Sequence, residues 1–496
     1  MVPLALLESF DLKSLLLFLL AFLLVLDYLK NKPPLNFPPG PIAIPFLGSI
    51  FNVNFKEPHI NLTKLGKTYN NIFSMQMGRQ KSVFLTGYKM VKEALVNQAE
   101  NFADRPYSPL AVRLYASNGG LFSSNGEMWK KQRRFALSTL RNFGLGKKTM
   151  ELAICEESRF LQDEMDRQKG EAFDPTTLFN NAVSNIICQL VFGQRFDYND
   201  HDFQMMLKYI SEALQLEGSM WGWLYESYPA IMKYLPGRHN VLFRNYEFVS
   251  KFIRKNLDKH KADLDPSNPR CYMDSFLIEK ENSHDPAEGF TEENLVWCTL
   301  DLFIAGTETT STTLRWALLF LNKHPEIQDK VQEEIDRVIG QTRQPCMADR
   351  PNLPYTEAVL HEILRRGDIV PLNGARMAVK DTTLGGYFIP KGTTLMPILH
   401  SVLFDENEWE TPNSFNPEHF LDKDGKFVRR DAFLPFSAGK RVCLGEQLAR
   451  MELFLFFISL FQKFHFSTVE GTQLSTEGIV GITLTPQPFK ICAKAR

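Results

Sequence analysis

The chain carries almost no net charge, no paired cysteines and no repeated unit. Its 56 Lys and Arg against 57 Asp and Glu leave a net charge of −1, which excludes nucleic acid as a bulk electrostatic partner. The seven cysteines, Cys155, Cys188, Cys271, Cys298, Cys346, Cys443 and Cys492, are scattered and odd in number, with no Cys-x-x-Cys pair. That excludes a disulfide framework or zinc knuckle and fits a reducing compartment. No repeat or low-complexity tract recurs across the 496 residues, so a solenoid is excluded. A phosphate loop is missing too. Around Gly144-Leu145-Gly146-Lys147-Lys148-Thr149, Arg141 stands where the first glycine belongs and Lys148 where Ser or Thr should follow the lysine. His361-Glu362-Ile363-Leu364-Arg365 begins like a zinc-peptidase helix, but Arg365 occupies the second histidine position. No flavin or dinucleotide motif is present.

What is there begins with an apolar run, Leu15 to Leu26, extended weakly by Leu4 to Leu7 and followed by Lys30 and Lys32. A cleaved signal peptide needs a cationic start and a small-residue cleavage site, and both are missing. A buried helix is the second reading, because the clean run is short of a full span. The run is read as a membrane signal-anchor over residues 1–32, with the body on the lysine side, the cytosol. Residues 33–45, with Pro33-Pro34 and Phe37-Pro38-Pro39-Gly40-Pro41, read as a stiff extended hinge. The sequon Asn61-Leu62-Thr63 is then inert. Residues 46–496 read as one mixed domain dominated by helix. Its hairpin is expected at Ile72 to Met77 and Ser82 to Leu85, helices up to about residue 370, and short β runs from Asp381 to Pro397. The fold class is mainly α with a small β region. Forty Phe and 44% hydrophobic residues suit a large apolar interior.

Phe436-Ser437-Ala438-Gly439-Lys440-Arg441-Val442-Cys443-Leu444-Gly445 places one cysteine in a turn before an apolar helix over Glu446 to Phe461. A helix start offers free N–H groups and the positive end of the dipole, which stabilise a thiolate. A second unusual segment is Ala305-Gly306-Thr307-Glu308-Thr309-Thr310, at the centre of a long apolar helix beginning near Asn294. Gly and clustered Thr are poor helix formers, and their hydroxyls bond back to carbonyls. Asp301, Ala305 and Thr309 are spaced by four and share a face. Trp129 and Arg133 are likewise four apart on one helix.

The cysteine loop resembles that of the cytochromes P450, Phe-x-x-Gly-x-Arg-x-Cys-x-Gly. All five fixed positions match: Phe436, Gly439, Arg441, Cys443 and Gly445. The resemblance runs over nearly the whole chain and is greatest to the vertebrate family-2 microsomal monooxygenases, including their fatty-acid-oxidising branch. It implies the cytochrome P450 fold, haem b with Cys443 as the axial ligand, and a body held at the endoplasmic reticulum membrane facing the cytosol. It implies haem propionates on Trp129, Arg133, Arg105 and Arg376, and Ala305 against the haem plane. Thr309 would bond the bound oxygen and a water, and Glu308 would feed protons. Glu362 and Arg365 would lock the core. The family's third member of that cluster, an arginine, is here His419, in Pro417-Glu418-His419-Phe420, which makes the contact weaker and open to pH.

The implied reaction is RH + O2 + 2 electrons + 2 protons giving ROH + H2O, on lipophilic substrates held by Asp301, Phe303, Ile304, Val370, Leu372, Ile479 and Val480. Electrons would come from NADPH-cytochrome P450 reductase, with cytochrome b5 as a further partner. Docking is expected on Lys130, Lys131, Arg134, Arg429, Arg430 and Lys440. The alternatives are a haem-thiolate isomerase or lyase acting on lipid peroxides, and a haem sensor without turnover. The Glu308-Thr309 pair favours the monooxygenase.

Overall fold

The computed structural model describes residues 12–78, 80–115, 119–283, 285–469 and 471–496. Leu4 to Leu7, and Arg79 in the hairpin turn, lie outside the described residues. Glu292–Lys323 is the 32-residue helix around which the others are arranged. Thr291 caps it by accepting from the Asn294 N–H at 3.1 Å, and Glu292 and Glu293 occupy the first turn, where acidic groups suit the dipole. Apolar side chains occur all round this helix, so it can only be stable inside other helices. Thr176–Phe192, His239–Ala262, Pro354–Gly367 and Glu446–Lys463 surround it.

The main sheet draws on both ends of the chain, in the order Ile72–Met77, Gln80–Leu85, Thr394–Pro397, Arg376–Met377. The first two strands form the expected antiparallel hairpin, pairing Ile72 with Leu85. Thr394–Pro397 then joins Gln80–Leu85 in parallel, with Ser82 opposite Thr394. Three two-stranded sheets complete the β portion. The architecture is mainly α with a small β region.

Leu12–Lys30 has no buried residue and, among the described residues, is the one helix long and apolar enough to cross a membrane. Its 19 residues rise about 28 Å, close to the ~30 Å hydrocarbon thickness. The proline-rich stretch after it does not hang free. Ser74 donates from Oγ to the Pro38 carbonyl and from N to the Pro39 carbonyl, both at 2.7 Å. A Cβ on Gly40 would sit 1.8 Å from the Ser74 carbonyl oxygen, so only glycine permits this approach. Asn36 is fastened too, donating to the Gly386 carbonyl and accepting from the Phe388 N–H.

Candidate functional site

The Cys443 loop is closed by the Cys443 N–H donating to the Phe436 carbonyl at 3.0 Å. Two residues turn left-handed inside it, Ser437 at φ 62 and Gly439 at φ 75. A Cβ on Gly439 would lie 1.8 Å from the Leu95 carbonyl oxygen, so that position must be glycine. Arg133 braces the loop from helix Gly126–Asn142, donating to the Val442 carbonyl at 2.6 Å. Phe436 is half-buried beneath the Arg450 guanidinium, 4.9 Å from the ring centre. Gly445 begins helix Glu446–Lys463, and a Cβ there would meet nothing within 4 Å.

Cys443 has accessible surface, yet enough protein surrounds it to desolvate the sulfur. It faces a sheltered interior space rather than bulk water. Burial pushes its pKa up, against the Gly445 and Glu446 N–H groups and Arg133, which pull it down. The N–H groups of the helix start thus favour the thiolate as expected, and in the free protein desolvation outweighs them. A coordinating cation deprotonates such a thiol outright.

Four guanidiniums converge on this loop. Arg441 donates to the carbonyls of Ala103 (2.8 Å) and Ser124 (2.7 Å) and lies 3.8 Å from the Trp129 ring centre. Arg105 donates to the Ala375 carbonyl at 2.6 Å, and Arg376 to Gly374 at 2.6 Å. Asn125, which sequence reasoning missed, ties two of them together: its Oδ1 accepts from the Arg105 N–H and from Arg441. Among the described residues no carboxylate pairs with Arg105, Arg133, Arg376 or Arg441. Burial, then mutual repulsion, pushes Arg441 down to about 9, Arg376 down to about 10 and Arg105 well down. Arg441 and Arg376 remain charged near neutrality. The Trp129 Nε1–H is buried without a partner. Gathered positive charge, an orphaned donor and the open side of Gly445 fit a flat anion-bearing group whose metal meets Cys443, as haem with its propionates does.

The Thr cluster lies on helix Glu292–Lys323, which packs against the Cys443 helix, with Thr310 beside the buried Glu452. Thr309 donates from Oγ1 to the Ala305 carbonyl at 2.7 Å, and Thr313 to the Thr309 carbonyl at 2.8 Å, the back-bonding expected of them. Ala305 is exposed in the middle of this helix, whose other exposed residues, Glu293 and Lys323, lie at its ends. Glu308 is 4% exposed. Burial pushes its pKa up and the Arg315 charge partly offsets this.

Asp301 is no solvated charge. Its carboxylate accepts from the Tyr115 hydroxyl (3.0 Å) and the N–H groups of Leu121 (2.7 Å) and Phe122 (2.9 Å). Burial outweighs those bonds and raises its pKa from 3.8 to about 6. Its contribution to stability is therefore complete below the unfolded-state value and lost as pH rises through about 6. Asp301→Asn should abolish that decline, seen as a flatter thermal midpoint across this pH window.

Phe303 is corrected. It is 0% exposed and packs on Phe192 of helix Thr176–Phe192, ring centres 6.3 Å apart, so it belongs to the core. Ile304, Val370, Leu372, Ile479 and Val480 are all half-buried. The hairpin carrying Ile479 and Val480 is held to the others by the Leu484 N–H donating to the Ile369 carbonyl at 2.9 Å.

Glu362 and Arg365 are fully buried and paired through two bonds of 2.8 Å. Arg365 also donates to the carbonyls of Leu403, Pro412 and Ser414. His419 Nε2 accepts from the Thr411 N–H, so its proton sits on Nδ1 and is donated to Glu362 at 3.2 Å. The histidine thus joins the cluster as a single donor where an arginine would offer a fork.

A thiol loop facing a cradle of buried cations on a mainly helical body defines a haem-thiolate protein. The family model described as Cytochrome P450 matches residues 38–493. Cytochrome P450 2J2 of Homo sapiens is 49% identical over 482 residues, 97% of this chain and 96% of the relative. Cytochrome P450 2J1 of Oryctolagus cuniculus is 49% identical over 487 residues, 98% and 96% of the two chains. Cytochrome P450 2C8 of Homo sapiens is 44% identical over 458 residues, 92% and 93%. The chain belongs to the cytochrome P450 family. It is a monooxygenase that uses haem with a cysteine thiolate ligand.

Proposed function

We propose that the protein oxidises polyunsaturated fatty acids, and lipophilic xenobiotics with them, by hydroxylation or epoxidation. It does so at the endoplasmic reticulum membrane with its body in the cytosol. Cys443 ligates the iron. Arg105, Arg133, Arg376, Arg441 and Trp129 hold the propionates, which supply the negative charge those groups lack. When bound, haem b would activate dioxygen, one atom of which goes to the product and the other to water.

The observation that carries this reading is the break in burial at Ala305, with a threonine hydroxyl one turn further on. Thr309 spends its hydrogen on the Ala305 carbonyl, leaving oxygen lone pairs to hold a water at the site. Glu308, with its pKa raised, is poised as a proton source behind it. Ile304, Val370, Leu372, Ile479 and Val480 exclude water and orient an apolar chain, while Asp301 holds the backbone of Leu121 and Phe122 in place. The enzyme should consume NADPH and form product only with reductase and a polyunsaturated fatty acid present. A spectral titration should show that fatty acid saturating below a drug-like amine. Product without NADPH would indicate an isomerase or lyase, and binding without turnover a sensor. Thr309→Ala should keep NADPH consumption but divert most of it to hydrogen peroxide; tight coupling in this variant would remove the proton role.

NADPH-cytochrome P450 reductase, and cytochrome b5 as a second donor, would dock on the basic side. Several of the cations expected there are already paired: Lys130 with Glu127 and Lys131 with Glu288, Arg430 with Glu410 and Lys440 with Glu100. Arg134 and Arg429 are exposed and, among the described residues, in no ion pair. Exposed pairs are worth only ~0–1 kcal/mol and exchange partners readily. Reversing Lys130, Lys131 and Arg134 together should slow reduction about tenfold or more at low salt, read by stopped-flow, with the gap closing as salt rises.

A further inference from the structure

Outside the haem site, three elements bring metal-ligating side chains together. Helix Pro58–Thr68 supplies His59, the residue after helix Pro354–Gly367 supplies Asp368, and the short helix His400–Leu403 supplies His400. One ligand atom from each lies within 4.8 Å of the other two. The rings of His59 and His400 meet edge to face with centres 4.8 Å apart. His400 Nδ1 lies 2.7 Å from Asp368 Oδ2. A tetrahedral zinc ion with bonds of ~2.0–2.1 Å holds its ligand atoms about 3.3 Å apart, so small side-chain rotations close the gap.

A histidine–aspartate hydrogen bond alone does not account for this cluster. It uses His400 Nδ1 and Asp368 Oδ2, and leaves His59 Nδ1 and Asp368 Oδ1 buried with no partner. His59 is 5% and Asp368 2% exposed, and buried polar atoms are rarely left unpaired. Asp368 also sits at φ 46, a left-handed conformation uncommon outside glycine. The cations near Asp368 are Arg366 and Arg365, and the second is neutralised by Glu362.

A contrasting cluster, His260, Cys271 and Asp274, shows what a satisfied arrangement looks like. There His260 Nδ1 lies 2.6 Å from Asp274, its Nε2 lies 3.1 Å from the Phe192 carbonyl, and Arg270 occupies the other aspartate oxygen at 2.7 Å. A guanidinium already stands where an ion would.

We propose that His59, Asp368 and His400 form a divalent-cation site suited to zinc, with water in the fourth position. Two imidazoles and a carboxylate are the ligand set of open zinc sites. The ion would tie helix Pro58–Thr68 to the stretch 369–372, which begins at the residue after Asp368. The His400 N–H already donates to the Pro371 carbonyl at 3.0 Å within that stretch. Occupancy would therefore stiffen one wall of the substrate space.

The test uses full-length haem-loaded protein in detergent, freed of loose metal with a chelator and titrated with zinc chloride. One zinc per chain is expected by calorimetry, with nitrogen and oxygen neighbours at about 2.0–2.1 Å in X-ray absorption at the zinc edge. A higher thermal midpoint should accompany it. Asp368→Asn, His59→Gln and His400→Asn should each weaken binding on the order of 100-fold. The carbon monoxide spectrum shows which variants remain folded, and His59→Gln, which leaves the His400–Asp368 hydrogen bond intact, keeps the test open if Asp368→Asn does not. No zinc on the wild type, or equal uptake in a folded variant, overturns the proposal.

Discussion

Cys443→Ala will lose the intense, strongly red-shifted Soret absorption of the reduced, carbon monoxide-bound protein, and turnover will fall to background. The loss follows from how few groups in the site can reach a metal. The loop is built so that one sulfur has access to the interior space, while Phe436, Val442 and Gly439 contribute only backbone bonds and shape. Alanine leaves those bonds in place, and the arginine cradle can still attract propionates. The variant should therefore fold and retain some haem with an altered spectrum. That separates loss of the ligand from loss of the fold. A cysteine-free protein with an unchanged carbon monoxide spectrum would refute the assignment of Cys443.

Arg365→Ala should prevent accumulation of folded, haem-loaded protein altogether. Removing the guanidinium leaves the Glu362 carboxylate buried with only the Asn416 N–H and the His419 Nδ1–H for company. It also strands the carbonyls of Leu403, Pro412 and Ser414. Breaking a buried pair costs about 3–5 kcal/mol, and each stranded acceptor roughly 1 kcal/mol or more. Against a total stability of ~5–15 kcal/mol this is most of what holds the fold. Arg365→Lys should fare little better, because one ammonium cannot span a carboxylate and three carbonyls. Haem content and thermal midpoint after expression are the measurements. An Arg365→Ala protein with full haem content and a midpoint within a few degrees of wild type would show that the pair is dispensable.

The parts of the site legible in the sequence are those set by short spacings. The Cys443 loop, the Thr cluster at Ala305, the Glu362–Arg365 pair and the Trp129–Arg133 face all lie within ten residues or three helical turns. Periodicity and turn chemistry specify such units before the chain folds. What was not legible depends on partners from far along the chain. Asp301 reads as either a pocket group or a solvated charge until Tyr115, Leu121 and Phe122 close over it. The rotation of helix Glu292–Lys323 sends Phe303 into the core against Phe192, and spacing alone does not fix that rotation. The sign of the Cys443 shift depends on how much protein surrounds the loop. Three of the basic residues expected to dock a partner, Lys131, Arg430 and Lys440, are matched by Glu288, Glu410 and Glu100 from other segments. Asn125 and Ser437 carry no signal beyond their places beside a helix start and inside a tight loop.

Fastening of the proline stretch to the sheet sets the length of the leash. Only residues 31–35 separate helix Leu12–Lys30 from Asn36, the first of the residues pinned to the two-stranded turn at Gly386 and Phe388. Fully extended, such a piece spans at most about 18 Å. Once the helix is seated in a bilayer, the globular part cannot drift away or tumble freely. Its distance from the lipid surface is thereby limited, so an oily molecule already dissolved among the lipid tails has a short path to the enzyme.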